Sequence, residues 1–296
     1  RRPPTAPPPK PPPPRPGGGV FPLNSIIRAA VASLTAIGLA LTVQAGASAA
    51  GTRDVTLPDA IVNGDFEYLG DSLLAEADDT RNFANVDYEH AQASSFSDVG
   101  GAWFDVRGFD AAAFGWRSNQ TDTSVDGRAP IVEIQRSRDR SNIYGEITAS
   151  QAGTYIYQDI DTRHETDTVY TVSLRHANRG RPSDNNGHMD ALRVLIGPPG
   201  HEQPVELTRT SSDVGDAIGE TSEIVRSGAW GWIGQWDTYE ATVTIPAGQP
   251  VTRFTFQSVD SLTDVAGNLV DDITFAVGYP LTYDLNGGTG PAPNRG

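Results

Sequence analysis

The chain has 296 residues, no cysteine, and 37 acidic against 22 basic residues, which gives a formal net charge of −15. Every acid lies beyond residue 50, and a field of that sign repels phosphate backbones and anionic lipid, which excludes nucleic-acid binding and peripheral membrane binding. The lack of cysteine excludes disulfide scaffolds, thiolate zinc sites and cysteine nucleophiles, whereas the excess of acid favours cations such as calcium as partners.

Two segments precede the main part of the chain. Residues 1–19 consist mostly of Pro, Gly and basic residues, which have nothing to bury, so we predict a disordered Pro-rich segment. Residues 20–49 have the features of a secretory signal peptide: Arg28 as a positive flank, an apolar run over 29–43, and small residues at 47–49 (ASA) for cleavage. The alternative is a transmembrane helix, but a span needs roughly 18–20 apolar residues. We therefore predict export to the extracellular side of the cell envelope.

From about residue 55 the pattern changes to short strands between polar turns. Residues 239–245 (YEATVTI) alternate between apolar and polar side chains with a period of two, which is typical of a half-buried strand. Similar runs occur at 131–136, 143–148, 154–160, 169–176, 191–196, 251–259 and 269–277. A short helix fits only within 71–91. Many strands without a βαβ rhythm predict an all-β fold, an antiparallel jelly-roll β-sandwich over 55–277.

Several motifs of this region resemble known surface domains. Residues 61–67 (IVNGDFE) and 268–275 (NLVDDITF) look like the first and last strands of galactose-binding-like jelly rolls, the fold of many carbohydrate-binding modules. Five further motifs are similar, in order, to a recurring module of actinobacterial and firmicute wall proteins: 115–122, 131–137, 174–181, 190–197 and 238–249. The resemblance covers roughly 58–277 and implies a glycan-binding or adhesive domain.

The last segment, 279–296, differs from the rest. Its start, LTYDLNGGTG, resembles the opening of the internalin B-type repeat, also called the Listeria–Bacteroides repeat. A short strand runs into a tight-turn signal at 286–288, and no partner strand follows. We interpret the segment as the truncated start of such a repeat. These repeats stack in stalks, which implies a place on the cell surface.

The galactose-binding-like resemblance also implies a structural calcium ion that joins the first strand to the last through Glu67 and Asp271. Asp271 has the same parity as Ile273 and Phe275, which predicts that it faces the core, where an unpaired carboxylate is costly. The alternative is that backbone N–H groups or arginines satisfy both acids. Loop 184–190 (DNNGHMD) is a weaker candidate, because it lacks the closing Glu of an EF-hand and a simple polar turn explains it.

The stretch 176–181 (HANRGR) offers donors for a ligand. His176 continues an inward-facing parity and is expected at the rim of a core face, with Arg179 and Arg181 in the loop that follows. Arginine forks bind carboxylates and sugar hydroxyls through paired donors. In an acid-rich domain the alternative is internal ion pairing, for instance with Asp184 or Asp190.

Tryptophans are the candidate stacking surfaces. Trp230, Trp232 and Trp236 lie within the seven residues WGWIGQW, and Trp116 lies elsewhere in the chain. Flat aromatic faces stack on the apolar faces of pyranose rings, but tryptophans also fill sandwich cores. Glycines at 228, 231 and 234 favour a loop and hence exposure.

Catalytic motifs are missing from the sequence: it contains no G-x-S-x-G elbow, no H-E-x-x-H, no Walker loop and no dinucleotide fingerprint. We therefore predict a non-enzymatic module for adhesion or glycan binding, whose partner is a glycan or a ligand on a host or cell-wall surface. One alternative is a structural or protein-binding adhesin or stalk domain without a sugar site. Another is an accessory domain of a larger secreted glycan-active enzyme.

Overall fold

The computed structural model describes residues 56–75, 82–94, 103–124, 127–148 and 151–278. These residues all belong to one compact unit, Asp54–Gly296. The predicted Pro-rich segment, signal peptide and internalin B-type repeat lie outside the described residues. Within them, no helix combines the length and the apolar character that a membrane span requires.

The described chain folds into antiparallel strands with two short helices. The helices are α1 (Gly70–Leu73) and α2 (Ala111–Phe114), and single 3-10 turns occur at Pro182–Asp184 and Gly231–Ile233. The strands are β1 (Phe83–Asp87), β2 (Gln92–Ser94), β3 (Phe104–Asp105), β4 (Arg117–Ser118), β5 (Val132–Arg136), β6 (Ile143–Glu146), β7 (Tyr155–Asp161), β8 (Thr168–Ala177), β9 (Ala191–Gly197), β10 (Gln203–Pro204), β11 (Leu207–Ser212), β12 (Thr221–Ser222), β13 (Val225–Arg226), β14 (Asp237–Ile245), β15 (Val251–Asp260) and β16 (Leu269–Val277).

These strands form two sheets in the described part of the chain. The ten-stranded sheet has the order β12-β11-β14-β8-β16-β6-β5-β1-β2-β3. The six-stranded sheet has the order β10-β9-β15-β7-β4, and β13 pairs with β9. The predicted fold class, an antiparallel β-sandwich of the jelly-roll type, is confirmed.

The main core lies between the two sheets and contains the inward-facing residues of alternating strands. In β8, Tyr170, Val172 and Leu174 are buried in it, as a period of two requires. Tyr170 stacks on Phe275 of β16 with ring centroids 4.1 Å apart, and Phe275 lies 4.3 Å from Phe254 of β15. Aromatic contacts thus join the two sheets across the core.

A second, smaller apolar cluster lies on the outer face of the ten-stranded sheet. In β6, Ile143 belongs to the main core while the next residue, Tyr144, belongs to the smaller cluster, so the two side chains point to opposite faces. We call this group the outer cluster; it consists of Tyr144, Ala177, Ala229, Trp236 and Leu269. Loop residues from 227–236 therefore cover part of the sheet that would otherwise face solvent.

The segment expected to be the first strand, 61–67, is instead a series of turns. Asn63 and Phe66 have φ angles of 52° and 56°, which no extended strand allows. The segment still reaches the last strand, because Ile273 N donates to Gly64 O over 2.9 Å. A Cβ at Gly64 would lie 2.0 Å from the backbone carbonyl oxygen of Ile273, so only glycine permits this close approach.

A bulge in β16 overturns the predicted parity of Asp271. The register with β8 shifts between Asp271 and Thr274, and Asp272 has a φ of 46°. Val270 before the bulge and Ile273 after it both face the main core. Asp271 therefore lies on the other face from Ile273. Strict alternation failed because an inserted residue changes the face of every residue on one side of it.

Candidate functional site

Two of the four candidate tryptophans are buried and cannot present a stacking face. Trp116 has no exposed surface; it stacks on Phe66 in the main core at 5.0 Å and donates from Nε1 to Asn63 O over 2.8 Å. Trp236 is 4% exposed and packs edge-on against Tyr144. Core packing, the alternative reading of the sequence, therefore applies to both, and the prediction that they contact a ligand is corrected.

His176 is also buried. Its Nε2 lies 3.0 Å from Asn268 Oδ1, its side chain faces the main core like that of Leu174, and its Nδ1 has no hydrogen-bond partner. Burial lowers the pKa of His176 to about 4. The expected inward parity is correct, but the residue is a neutral core histidine and not a donor at the rim.

Trp230 and Trp232 lie on a short loop and are only half-buried. Asn178 anchors this loop: its backbone N donates to Ala229 O over 2.9 Å, and its side chain donates to Ser227 O over 2.5 Å. We call residues 227–236 the tryptophan loop. A 3-10 turn at Gly231–Ile233 bends it, so the shared parity of the tryptophans does not place them on one face.

Further contacts fix the half-buried Trp230 ring and the backbone at Trp232. Trp230 Nε1 donates to Arg179 O over 3.2 Å, and the Trp232 carbonyl accepts from Arg138 N over 2.9 Å. A Cβ on Gly231 would lie 2.7 Å from Leu269 of the sheet, so glycine lets the loop pack closely. The Trp230 ring and the backbone at Trp232 are held before any ligand arrives, which lowers the entropic cost of binding.

The two arginines of the HANRGR stretch have different environments. The Arg181 guanidinium carbon lies 5.8 Å from the Trp230 ring centroid, within cation–π range. Arg179 Nε lies 3.2 Å from Glu146 Oε2, and the Arg179 side chain is 25% exposed. Internal ion pairing therefore holds for Arg179, with Glu146 and not with Asp190 as its guanidinium partner. Asp190 instead accepts from the Arg179 backbone N over 2.9 Å.

Beneath Arg179 is a polar cluster that the sequence analysis missed. Glu133 of β5 lies directly opposite Glu146 of β6, and both are buried together with Gln135. The Gln135 side-chain amide donates to both carboxylates, and Gly267 N donates to Glu146 Oε1 over 2.6 Å. Burial raises the pKa of Glu146 to about 7 and raises that of Glu133 well above its usual range.

This carboxylate pair does not have the geometry for cleaving a glycosidic bond. The two carboxyl groups lie within hydrogen-bonding reach of each other. A retaining glycosidase separates its two carboxyl groups by about 5–5.5 Å, and an inverting enzyme by about 6.5–9.5 Å, to leave room for sugar and water. The pair can share a proton and orient Arg179, which is a structural and positioning role.

Glu67 and Asp271, the predicted calcium ligands, approach the same short segment from two sides. Glu67 Oε1 accepts from Ile143 N over 2.9 Å. Asp271 accepts from the Asn142 side chain and from Asp272 N, each over 2.8 Å. Among the described residues, no three His, Cys, Asp or Glu side chains are grouped as a metal site. Protein donors thus engage both acids, although carboxylate and amide groups are also the ligands that calcium takes. The calcium ion stays a prediction.

No protein-family model matches the chain, and no curated protein matches it in sequence. Among solved structures, it is similar to the family 35 carbohydrate-binding module of Abf62 from Cellvibrio japonicus, with 16% identity over 47% of this chain and 75% of that one and a TM-score of 0.29. It is also similar to a family 61 module in complex with β-1,4-galactotriose, with 11% identity over 55% of this chain and 88% of that one and a TM-score of 0.32. A family 35 module from Clostridium thermocellum has 15% identity over 50% of this chain and 87% of that one and a TM-score of 0.30. These values are too low to transfer a ligand.

Proposed function

We propose that the chain is a non-enzymatic glycan-binding module of an exported cell-surface protein, and that it binds through the tryptophan loop. The observation that carries this proposal is the pairing of the half-buried, rigidly held Trp230 ring with Arg181, beside a second half-buried indole, Trp232, on the same loop. Indole faces stack on the apolar faces of pyranose rings, and arginine forks donate to sugar hydroxyls.

The charge of the protein narrows the ligand. A net charge of −15 disfavours polyanionic glycans, so the ligand is neutral or weakly anionic. A shallow, solvated site gives up much of its gain to desolvation and ordering, and we expect a single-site Kd of roughly millimolar to micromolar. Many copies on a cell surface compensate for this weakness by multivalency, which suits an adhesive role.

The test is an array of glycans probed with the full chain, displayed multivalently. Trp232→Ala should abolish binding of at least one glycan that the parent chain binds, whereas Trp232→Phe, which keeps a flat ring, should retain much of that binding. Arg181→Ala is the better arginine variant, because removing Arg179 leaves Glu146 buried without its partner and threatens folding. Ile218→Ala removes an apolar side chain that is 67% exposed and lies outside the loop, which makes it the control.

Two outcomes overturn the proposal. A set of bound glycans that both Trp232→Ala and Arg181→Ala leave unchanged places the site elsewhere. A chain that binds no glycan favours the structural or protein-binding adhesin domain instead.

A further inference from the structure

A groove of about 770 Å³ opens at the edge of the six-stranded sheet, where β4 pairs with β7. Its volume falls in the range of roughly 300–1,000 Å³ that small-molecule sites occupy. Arg117 and Tyr157, which are partners across these two strands, line it together with Tyr88 and Glu89 from the turn after β1. We call it the Tyr157 groove. None of its lining residues belongs to the tryptophan loop.

One side of the groove is apolar. Leu57, Pro58, Ala112 and Pro130 line it, and half-buried Tyr157 adds an aromatic ring. A surface of small apolar side chains beside an aromatic ring matches the C–H faces of a sugar ring, which is apolar on its faces and polar around its edge.

The polar groups of the groove are fixed in advance. The Arg253 guanidinium lies 4.0 Å from the Tyr157 ring centroid and donates to both oxygens of Asp159 over 2.7 and 2.8 Å. The Arg117 guanidinium lies 4.7 Å from the Tyr88 ring and donates to the Ala111 carbonyl over 3.0 Å. These contacts hold the tyrosine rings and the guanidinium groups in place, so that a ligand does not have to order them.

The charges of the groove disfavour an anionic ligand. Asp159 is paired with Arg253, which leaves the Arg117 guanidinium opposed by the exposed Glu89 carboxylate at the groove. An anion-binding site would show an excess of positive charge. A neutral ligand that offers hydroxyl groups meets donors from Arg117 and acceptors from Glu89 and Asp159.

We propose that the Tyr157 groove is a second site for a neutral oligosaccharide, separate from the tryptophan loop. The choice of a glycan rests on the proposed function, whereas the groove and its chemistry do not. Two sites on different elements would let one module bridge two glycan chains, or two stretches of one chain, and gain avidity without any further contact.

The experiment is calorimetric titration of the full chain with cellohexaose, xylohexaose, mannohexaose and laminarihexaose. We expect one of them to bind the groove, and Tyr157→Ala to weaken that binding at least tenfold, also in a Trp232→Ala background. Tyr155→Ala is the matched control, since Tyr155 lies on the same strand and face, 5.9 Å from the Tyr157 ring, but does not line the groove. The Tyr155→Ala variant should bind the hexaose with unchanged affinity.

A second variant guards against misfolding. Ala112 lines the groove on an exposed helical position, so Ala112→Trp fills the groove without removing any packed group and should block binding as well.

The outcomes separate the two proposals. Binding that is lost in Trp232→Ala but unaffected by Tyr157→Ala and Ala112→Trp overturns the groove alone. Binding that survives Trp232→Ala and is lost in both groove variants supports the groove, and the glycan array with Trp232→Ala then decides separately whether the tryptophan loop holds a glycan of its own. Equal loss in Tyr155→Ala and Tyr157→Ala, or no binding of any of the four hexaoses by the unmodified chain, also overturns the groove.

Discussion

Glu133 and Glu146 face each other across β5 and β6, and the guanidinium of Arg179 pairs with Glu146 at 3.2 Å. Two ionised acids beside one arginine would leave a net negative charge in a buried site, which is costly. Burial accordingly raises the pKa of both acids, that of Glu146 to about 7. The folded protein therefore keeps a proton here at pH values where the unfolded chain has lost it.

This proton makes stability depend on pH in a defined direction. The pKa of Glu146 is about 7 when folded against 4.5 ordinarily, so between these values the folded state binds more protons than the unfolded state. The free energy of unfolding must then fall as the pH rises through that window. Glu146→Gln removes the titration and should flatten this fall, by an amount on the order of 2 kcal/mol between pH 4.5 and pH 8.

Urea unfolding at half-unit pH steps measures the effect. Glu240→Gln, on the exposed side of β14, is the control and should follow the parent protein. A Glu146→Gln profile parallel to that of the parent protein would show that Glu146 is ionised throughout this range.

His176 should make the free energy of unfolding depend on pH in the opposite direction. Its pKa is about 4 in the folded state and 6.5 ordinarily, so on acidification the unfolded chain takes up the proton first. The free energy of unfolding must fall as the pH drops from about 6.5 to about 4. His176→Gln should remove this acid-side loss, and a nuclear magnetic resonance titration should find the His176 ring neutral down to about pH 4. A ring that titrates near 6.5 contradicts the buried, neutral assignment.

The tryptophans should separate into a core class and a surface class. Trp116→Ala removes a ring packed between Phe66 and Phe256 and should lower the free energy of unfolding by about 3–5 kcal/mol. Trp232→Ala, on the half-buried loop position, should cost much less, about 1 kcal/mol. Urea denaturation of the two variants checks this, and equal losses would contradict the placement of Trp232 at the surface.

The sequence predicted the sandwich well where strands are long and alternate. The runs at 131–136, 169–176 and 251–259 correspond to β5, β8 and β15. The short strands β1 to β4 were missed, since two to five residues carry too little periodicity to distinguish a strand from a turn. The range considered for a helix, 71–91, contains β1 as well as most of α1.

The candidate site was harder to predict, because it depends on contacts between distant segments. Glu133 and Glu146 occupy alternate, outward positions that periodicity assigns to solvent, and the alternation pattern contains no sign that this face is buried. Apolar loop residues near position 230, such as Ala229 and Trp236, cover part of the same face. The bulge at Asp272 was equally hidden, because one inserted residue leaves the composition of a strand unchanged.

The export prediction concerns residues outside the described part of the chain. The small residues at 47–49 follow a short apolar run, so processing near Ala49–Ala50 should yield mature protein that begins at Ala50 or Gly51. N-terminal sequencing of secreted material measures this. Mature protein in the membrane fraction that retains residues 29–43 would show that the run is an anchor.

The calcium prediction concerns Glu67 and Asp271, which hold Asn142 and Ile143 at the start of β6. Both acids accept hydrogen bonds from Asn142 or Ile143, and so join the turns at 61–67 to the last strand. A cation bound there only by the folded state would add to that tie. The free energy of unfolding would rise by about 2.7 kcal/mol when free calcium is a hundred times its Kd.

Thermal unfolding with calcium and with chelator is the measurement. The melting temperature should be higher in calcium, and Asp271→Ala should abolish the difference. Asp272→Ala is the matched control: Asp272 is the neighbouring acid, but it is exposed and its carboxylate pairs with Arg175 at 3.1 Å, so the calcium response should persist. Identical melts of the parent protein in both conditions would mean that Ile143 N, Asn142 and Asp272 N satisfy the two acids by themselves. In that case, the tie between 61–67 and β16 rests on hydrogen bonds alone.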